Sequence, residues 1–171
     1  MTLEAEMTAD GCNTVSICSL RVGADLFGIE TWQIREVLGT TTPQSVPLAP
    51  EYIAGVVPYR GEVLTTVSLR ALLGLERRSG ANCILVFDGE QMEERFGLIV
   101  DGVSGVMALQ RDMLQANPSG LDARSMELFD GVYRLPSGLL VHLDPRKLRP
   151  TRLAECGLFA RVKQERQGDS R

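Results

Sequence analysis

Residues 47–70 read PLAPEYIAGVVPYRGEVLTTVSLR, and this stretch decides the fold. A Pro-bounded connection leads into an apolar run from Ile53 to Val57. Arg60-Gly61 supplies a turn, and a second apolar run from Val63 to Val67 closes on Leu69-Arg70. Two β-branched arms around a Gly-containing turn predict a β-hairpin with a charged tip. Gly55 inside the first arm marks either a curving bulge or a close backbone approach, the latter offering a smooth spot for a partner helix. Pro58 lacks an amide proton, so its strand must lie at a sheet edge or bulge there.

Outward from the hairpin the same grammar repeats. Thr14 to Val22 is β-branched and apolar, Gly23-Ala24-Asp25 makes a turn, and Leu26 to Ile29 returns. A helical turn from Glu30 leads into a strand from Ile34 to Thr40. Leu69 to Leu75 reads as a short helix with Gly74 near its end. Glu76 to Asn82 is polar and Gly-containing, the best boundary between two halves. Beyond it, strands are expected at Cys83–Phe87, Phe96–Val100 and Val103–Leu109, then a hairpin of Val132–Leu135 and Leu139–Leu143. Residues 1–13 form a polar N-terminal arm. In residues 151–171, Leu153, Cys156, Leu158, Phe159 and Val162 give the apolar face of a C-terminal helix, with a charged tail from Lys163. Many short strands with Gly/Pro turns predict an all-β protein. Two blocks of similar strand content predict two small barrels packed together, about 14–75 and about 82–150, without a sequence repeat clear enough to prove a duplication.

The 171 residues suffice for one sizeable core or two small ones, and 44% are hydrophobic. A formal net charge of −4 argues against a nucleic-acid partner. No apolar run approaches the ~20 residues of a membrane span. Acidic Glu4 and Glu6, with no apolar core after a basic start, do not make a secretory signal, so a cytoplasmic location is expected. Cys12, Cys18, Cys83 and Cys156 form no C-x-x-C pair, and Cys18 and Cys83 are expected to be reduced core residues.

Catalytic signals are poor. The one histidine, His142, lies in an apolar strand, where a satisfied or outward-facing side chain is expected rather than a base. Ser104 sits in D-G-V-S-G, which lacks the G-x-S-x-G elbow and reads as a turn. No metal-ligand cluster, phosphate loop or cofactor motif is present. Glu36 stands among apolar Ile34, Val37 and Leu38 and needs a partner if covered, and Arg60 is the candidate for a charge-assisted pair. Ile34, Val37, Val56, Val57, Ile99 and Val100 are β-type apolar residues, most of them expected in the core and some able to line a groove between the halves.

In its residues the chain resembles the CheW family of chemotaxis coupling proteins, from about Ser16 to Leu148. Pro47, Pro50, Ile53, Gly55, Val56, Arg60, Gly61, Val63, Leu69 and Arg70 carry that resemblance in the hairpin. Phe27-Gly28-Ile29, Ile34-x-Glu36-Val37, Phe96 to Val103, Asp130-Gly131-Val132 and Leu143-Asp144 carry it elsewhere. It implies two packed five-stranded SH3-like β-barrels, the C-terminal part crossing back to the first, with a short C-terminal helix. The implied function is an adaptor without cofactor, metal or catalytic residues. One surface of the first barrel would meet the CheW-like regulatory domain of a CheA-type histidine kinase. A groove between the barrels would meet the cytoplasmic tip of a methyl-accepting chemoreceptor, recruiting the adaptor to membrane-associated receptor arrays without inserting into the membrane. Ile34, Glu36, Gly55 and Arg60 fall at receptor-coupling positions by that resemblance. Pro58 and Ser68 depart from the family's usual Asn and Asp, which bears on partner choice and on whether the output is flagellar. A small-ligand sensor using a cavity between the barrels is the alternative.

Overall fold

Strands form where β-branched and alternating residues run between Gly and Pro turns. The computed structural model describes residues 13–89 and 92–159. In chain order the elements are β1 (Thr14–Val22), β2 (Asp25–Glu30), β3 (Glu36–Leu38), β4 (Ile53–Tyr59), β5 (Glu62–Ser68) and α1 (Leu69–Leu72). They continue with β6 (Cys83–Phe87), β7 (Phe96–Val100), β8 (Gly102–Gln110), α2 (Ala123–Leu128), β9 (Phe129–Leu135), β10 (Gly138–Leu143) and α3 (Pro150–Cys156). Single 3-10 turns occupy Thr31–Gln33, Arg111–Met113 and Pro145–Leu148. α1 is shorter than the expected Leu69–Leu75, and α2 was not legible. Residues 1–12 of the expected arm, Val162 and the tail from Lys163 lie outside the described residues.

The strands form two five-stranded sheets, ordered β8-β1-β2-β10-β9 and β3-β6-β7-β5-β4. The boundary expected at Glu76–Asn82 therefore joins two elements of one barrel, because β5 and β6 share the second sheet. One barrel takes residues 14–30 and 102–143, and the other takes 36–100. The physical reason is an exchange. A hairpin followed by three strands occurs twice along the chain, and each three-strand block joins the hairpin of the other repeat. Both sheets thus contain one parallel pair, β2 with β10 and β7 with β5. Each barrel closes through one isolated bridge, Gln44 to Val56 and Gln115 to Val132.

The duplication is visible in matched positions. Gly28 pairs with His142, and Gly97 pairs with Thr66. Both glycines face a barrel interior too narrow for a side chain. A Cβ on Gly28 would lie 2.5 Å from Leu140 Cδ2, and one on Gly97 would lie 2.6 Å from Ile84 Cγ2. At the seams, Gly55 (φ +145°) and Gly131 (φ +144°) each face a bridging carbonyl, that of Gln44 or Gln115. Ser68, at the end of β5, and Asp144, just after β10, accept hydrogen bonds from the Ala71 and Arg146 amides, starting the next turn of helix.

Strand parity sorts side chains into three cores. Val15, Ile17, Tyr133 and Leu140 fill the first barrel, and Val57, Tyr59, Leu64, Ile84 and Val86 fill the second. Residues of opposite parity, including Leu20, Phe27, Ile29, Leu85, Phe87, Phe96 and Leu98, meet between the barrels. Burial on both faces explains why β6 and β7 read as continuous apolar runs rather than alternating ones. Each large side chain buried there contributes about 1.5–3 kcal/mol. Leu148, Leu153 and Phe159 of the C-terminal segment cap this layer. Gly157 (φ +68°) ends α3, so the apolar face expected to continue through Leu158 belongs partly to a turn.

Candidate functional site

The hairpin around Arg60-Gly61 forms as its sequence requires. Pro58 pairs with Val63 near the tip of β4, the edge strand of its sheet, so its missing donor costs no ladder bond. Register slips between Ile53 and Gly55, which is the expected bulge. The smooth-spot reading of Gly55 does not survive. A Cβ there would sit 2.2 Å from the Gln44 carbonyl oxygen, so the close backbone is the protein's own. The glycine lets Gln44 and Val56 exchange hydrogen bonds of 2.8 and 2.9 Å across the barrel seam.

The other end of that seam is closed by side chains. Glu36 in β3 accepts from the Tyr59 hydroxyl at 2.7 Å and from Arg60 Nη2 at 3.1 Å. The expected Glu36–Arg60 pair is therefore present. The Tyr59 hydroxyl holds the Glu36 carboxyl below the usual carboxylate range, helped by the hydrogen bond and charge of Arg60. Donation to Glu36 pushes the Tyr59 hydroxyl up in turn. The Arg60 guanidinium also lies 5.3 Å from the Tyr59 ring centroid. Arg60 remains 60% exposed at its side chain, so the pair orients a cation that still faces outward. An exposed ion pair of this kind adds little stability. Arg60 sits at φ +49° and Gly61 at φ +78°, so both residues of the turn are left-handed.

Tyr59 is the residue missed by the sequence reading. Alternation along β4 was the available signal, since Val57 and Tyr59 share the inward face and a covered Tyr hydroxyl needs an acceptor.

Of the proposed groove residues, Val57 and Val100 are buried and Ile99 packs into the second barrel. Ile34 is half-buried against the inter-barrel core, and Val56 is half-buried at the seam. Val37 is exposed, as is Trp32 of the preceding turn. Trp32 donates to Glu30, which also receives Arg111 at 3.1 Å. The stretch from Trp32 to Val37 thus presents apolar surface that ends at the Glu36–Arg60 pair.

The hydrolase residues are not brought together. Ser104 lies on β8 and His142 on β10, with β1 and β2 between them. Of the two expectations for His142, the outward-facing one fails: it is buried beside Tyr133, with Asp130 Oδ2 3.3 Å from its Nδ1. Cys18 is buried between the barrels, where burial pushes its thiol up, and Cys83 packs against the same layer. Among the described residues no helix is long and apolar enough to cross a membrane.

A sequence model of the CheW-like domain matches residues 16–151. The chemotaxis protein CheW of Treponema pallidum is 25% identical over 136 residues, covering 77% of this chain and 80% of that protein. The chemotaxis protein CheW of Klebsiella aerogenes is 25% identical over 130 residues, covering 74% and 76%. In fold, the chain is similar to the scaffolding protein TtCheW from Thermoanaerobacter tengcongensis, with a TM-score of 0.67 at 19% identity over 76% of this chain and 88% of that one. With its paired five-stranded barrels and a match spanning most of its length, the chain belongs to the CheW-like domain family.

Proposed function

We propose that this protein is a non-enzymatic coupling adaptor of a bacterial chemosensory pathway. It holds a CheA-type histidine kinase and the cytoplasmic tip of a methyl-accepting chemoreceptor in one assembly. The observation that carries this reading is the family match over residues 16–151. Such an adaptor needs no reacting group. It needs two binding surfaces on a body stiff enough that a change at one is felt at the other, and the buried layer between the barrels supplies that stiffness. Coupling of this kind amounts to about 1–3 kcal/mol between sites.

Ile34, Glu36 and Arg60 are the proposed coupling residues. Ile34 and the exposed Trp32 and Val37 contribute apolar contact, while Arg60, steered by Glu36 and Tyr59, sets register. Gly55 acts through the seam it permits rather than by touching a partner.

The test is reconstituted kinase control with receptor-bearing membranes, comparing the native chain with Arg60→Ala. The variant keeps its fold, because Arg60 is exposed and its ion pair is superficial, and it loses kinase control several-fold. An Arg60→Ala chain that unfolds, or that couples normally, removes Arg60 from this role.

A further inference from the structure

A second charged feature lies away from the Glu36–Arg60 seam, where the end of β7 turns into β8. Asp101 sits at that corner with its side chain only 11% exposed. Its Oδ2 accepts from the Gly23 amide at 2.8 Å and from Arg70 Nη1 at 2.7 Å, with Arg78 Nη1 at 3.5 Å. Arg70 is fixed further by donating from Nε to the Glu76 carbonyl at 2.8 Å. A cavity of about 160 Å³ opens beside this corner, and Arg70, Arg77 and Arg78 all line it. Arg77 has no hydrogen bond or ion pair among the described residues.

Donors and acceptors in this cavity do not balance. Asp101 spends one oxygen on three donors from the protein's own frame. Glu51, an exposed residue, is the other carboxylate of the lining. Three guanidinium groups thus face two carboxylates, one of them already engaged, in a chain whose net charge is −4. The rest of the lining includes small and apolar residues such as Ala54, Ala71 and Ile99, which lower the local polarity around any bound charge. The volume is below that of an ordinary small-molecule pocket, which runs from about 300 Å³ upward. It fits a single charged group rather than a whole metabolite.

We propose that this cavity is an oxyanion-binding site, taking one carboxylate or phosphate group between Arg70, Arg77 and Arg78. Guanidinium forks match the planar carboxylate and the phosphate edge, and each bond made is charge-assisted. Asp101 is a positioning residue that aims Arg70 and Arg78 at the ligand. Glu51 limits the total charge the site tolerates, which favours one small anion over a polyanion. The site is independent of the coupling surface at Glu36 and Arg60, so it stands or falls separately from the adaptor reading.

The test titrates the isotope-labelled full chain with inorganic phosphate at constant ionic strength and follows backbone amide shifts, with chloride as the reference. Saturable shifts centred on residues 68–71, 75–82 and 99–102 are expected. Arg77→Gln with Arg78→Gln weakens binding by at least about tenfold. Ala81→Glu keeps every arginine but places a carboxylate on the lining, and it abolishes binding as well. A short glutamate-containing peptide identifies the source. Displacement of phosphate at the same amides assigns the site to an acidic side chain of a partner, and failure to displace it assigns the site to free phosphate. Shifts equal in chloride, spread over the whole surface or unchanged in both variants overturn the proposal.

Discussion

Replacing Gly55 by Ala tests the barrel seam more sharply than any other single change. The new Cβ would stand 2.2 Å from the Gln44 carbonyl oxygen and 2.7 Å from its carbon, both main-chain atoms. No side-chain rotation relieves that overlap, so Gln44 must move. Its movement breaks the pair of hydrogen bonds with Val56, at 2.8 and 2.9 Å. Each bond contributes about 1 kcal/mol net, and burying its unpaired groups costs more. An L residue held at the φ of +145° found here adds strain of about 1–3 kcal/mol. The buried bond from Thr66 Oγ1 to the Gly55 carbonyl, at 2.8 Å, is strained by the same shift. The sum is about 3–5 kcal/mol, which for a chain of this size lowers Tm by roughly 10 °C. The assay is thermal and urea unfolding followed by circular dichroism. Gly39→Ala is the control, because nothing lies within 4 Å of its Cβ position, and it stays within about 0.5 kcal/mol of the native chain. A Gly55→Ala chain melting within about 2 °C of native would show that the seam yields freely and that the Gln44–Val56 bridge does not hold the barrel. The expected result also reassigns Gly55: any coupling defect at that position follows from the barrel, not from a lost contact.

Three other outcomes follow from the same geometry. Gly131→Ala meets the Gln115 carbonyl oxygen at 2.6 Å with a φ of +144°, so it should destabilise the first barrel to a similar degree in the same melts. His142→Ala removes a buried ring that packs on Tyr133 and stands 3.3 Å from Asp130 Oδ2, and it should lower stability by about 2 kcal/mol in urea unfolding at pH 8; an unchanged midpoint would mean that neither contact holds the barrel. The carboxyls of Glu36, Asp122 and Asp144 are held below their ordinary range: Glu36 chiefly by Tyr59, Asp122 by the Ser125 amide, and Asp144 by Arg146, whose bonds outweigh burial. Folding therefore favours their ionised forms. That contribution is complete above the unfolded values near about 4 and disappears as pH falls through the lower folded ones, so urea midpoints should be flat down to about pH 5 and drop below pH ~4.

The strands were legible because their signals are local. β-branched runs bounded by Gly and Pro place β1, β6 and β7 almost to the residue. The membership of the two sheets was not legible, because it depends on pairing across long separations. Nothing in residues 14–30 says that their hairpin completes a sheet with residues 102–143 rather than with its sequence neighbours. The duplication hid for the same reason. Phe27-Gly28 and Phe96-Gly97 echo each other, but their equivalence emerges only when both glycines are seen facing barrel interiors. Within the candidate site, Glu36 was conspicuous as a carboxylate among apolar residues, and its pairing with Arg60 followed from charge. Tyr59 went unread because its hydroxyl matters only once β3 and β4 face each other across the seam. The Asp101 corner gathers residues from positions 23, 70 and 78, a convergence with no trace in local pattern. Which of the two expectations held for His142 was not legible, because burial in a barrel interior is fixed by strand register, which the apolar strand around it does not reveal.

The most direct measurement is calorimetric titration of the purified chain with the CheW-like domain of a CheA-type histidine kinase, with and without a receptor-tip fragment. Saturable binding to the kinase domain and to the receptor tip is expected, with the Arg60→Ala chain folded but weaker toward the receptor. A well-folded native chain that binds neither partner would contradict it, leaving the fold in place and the coupling function without support.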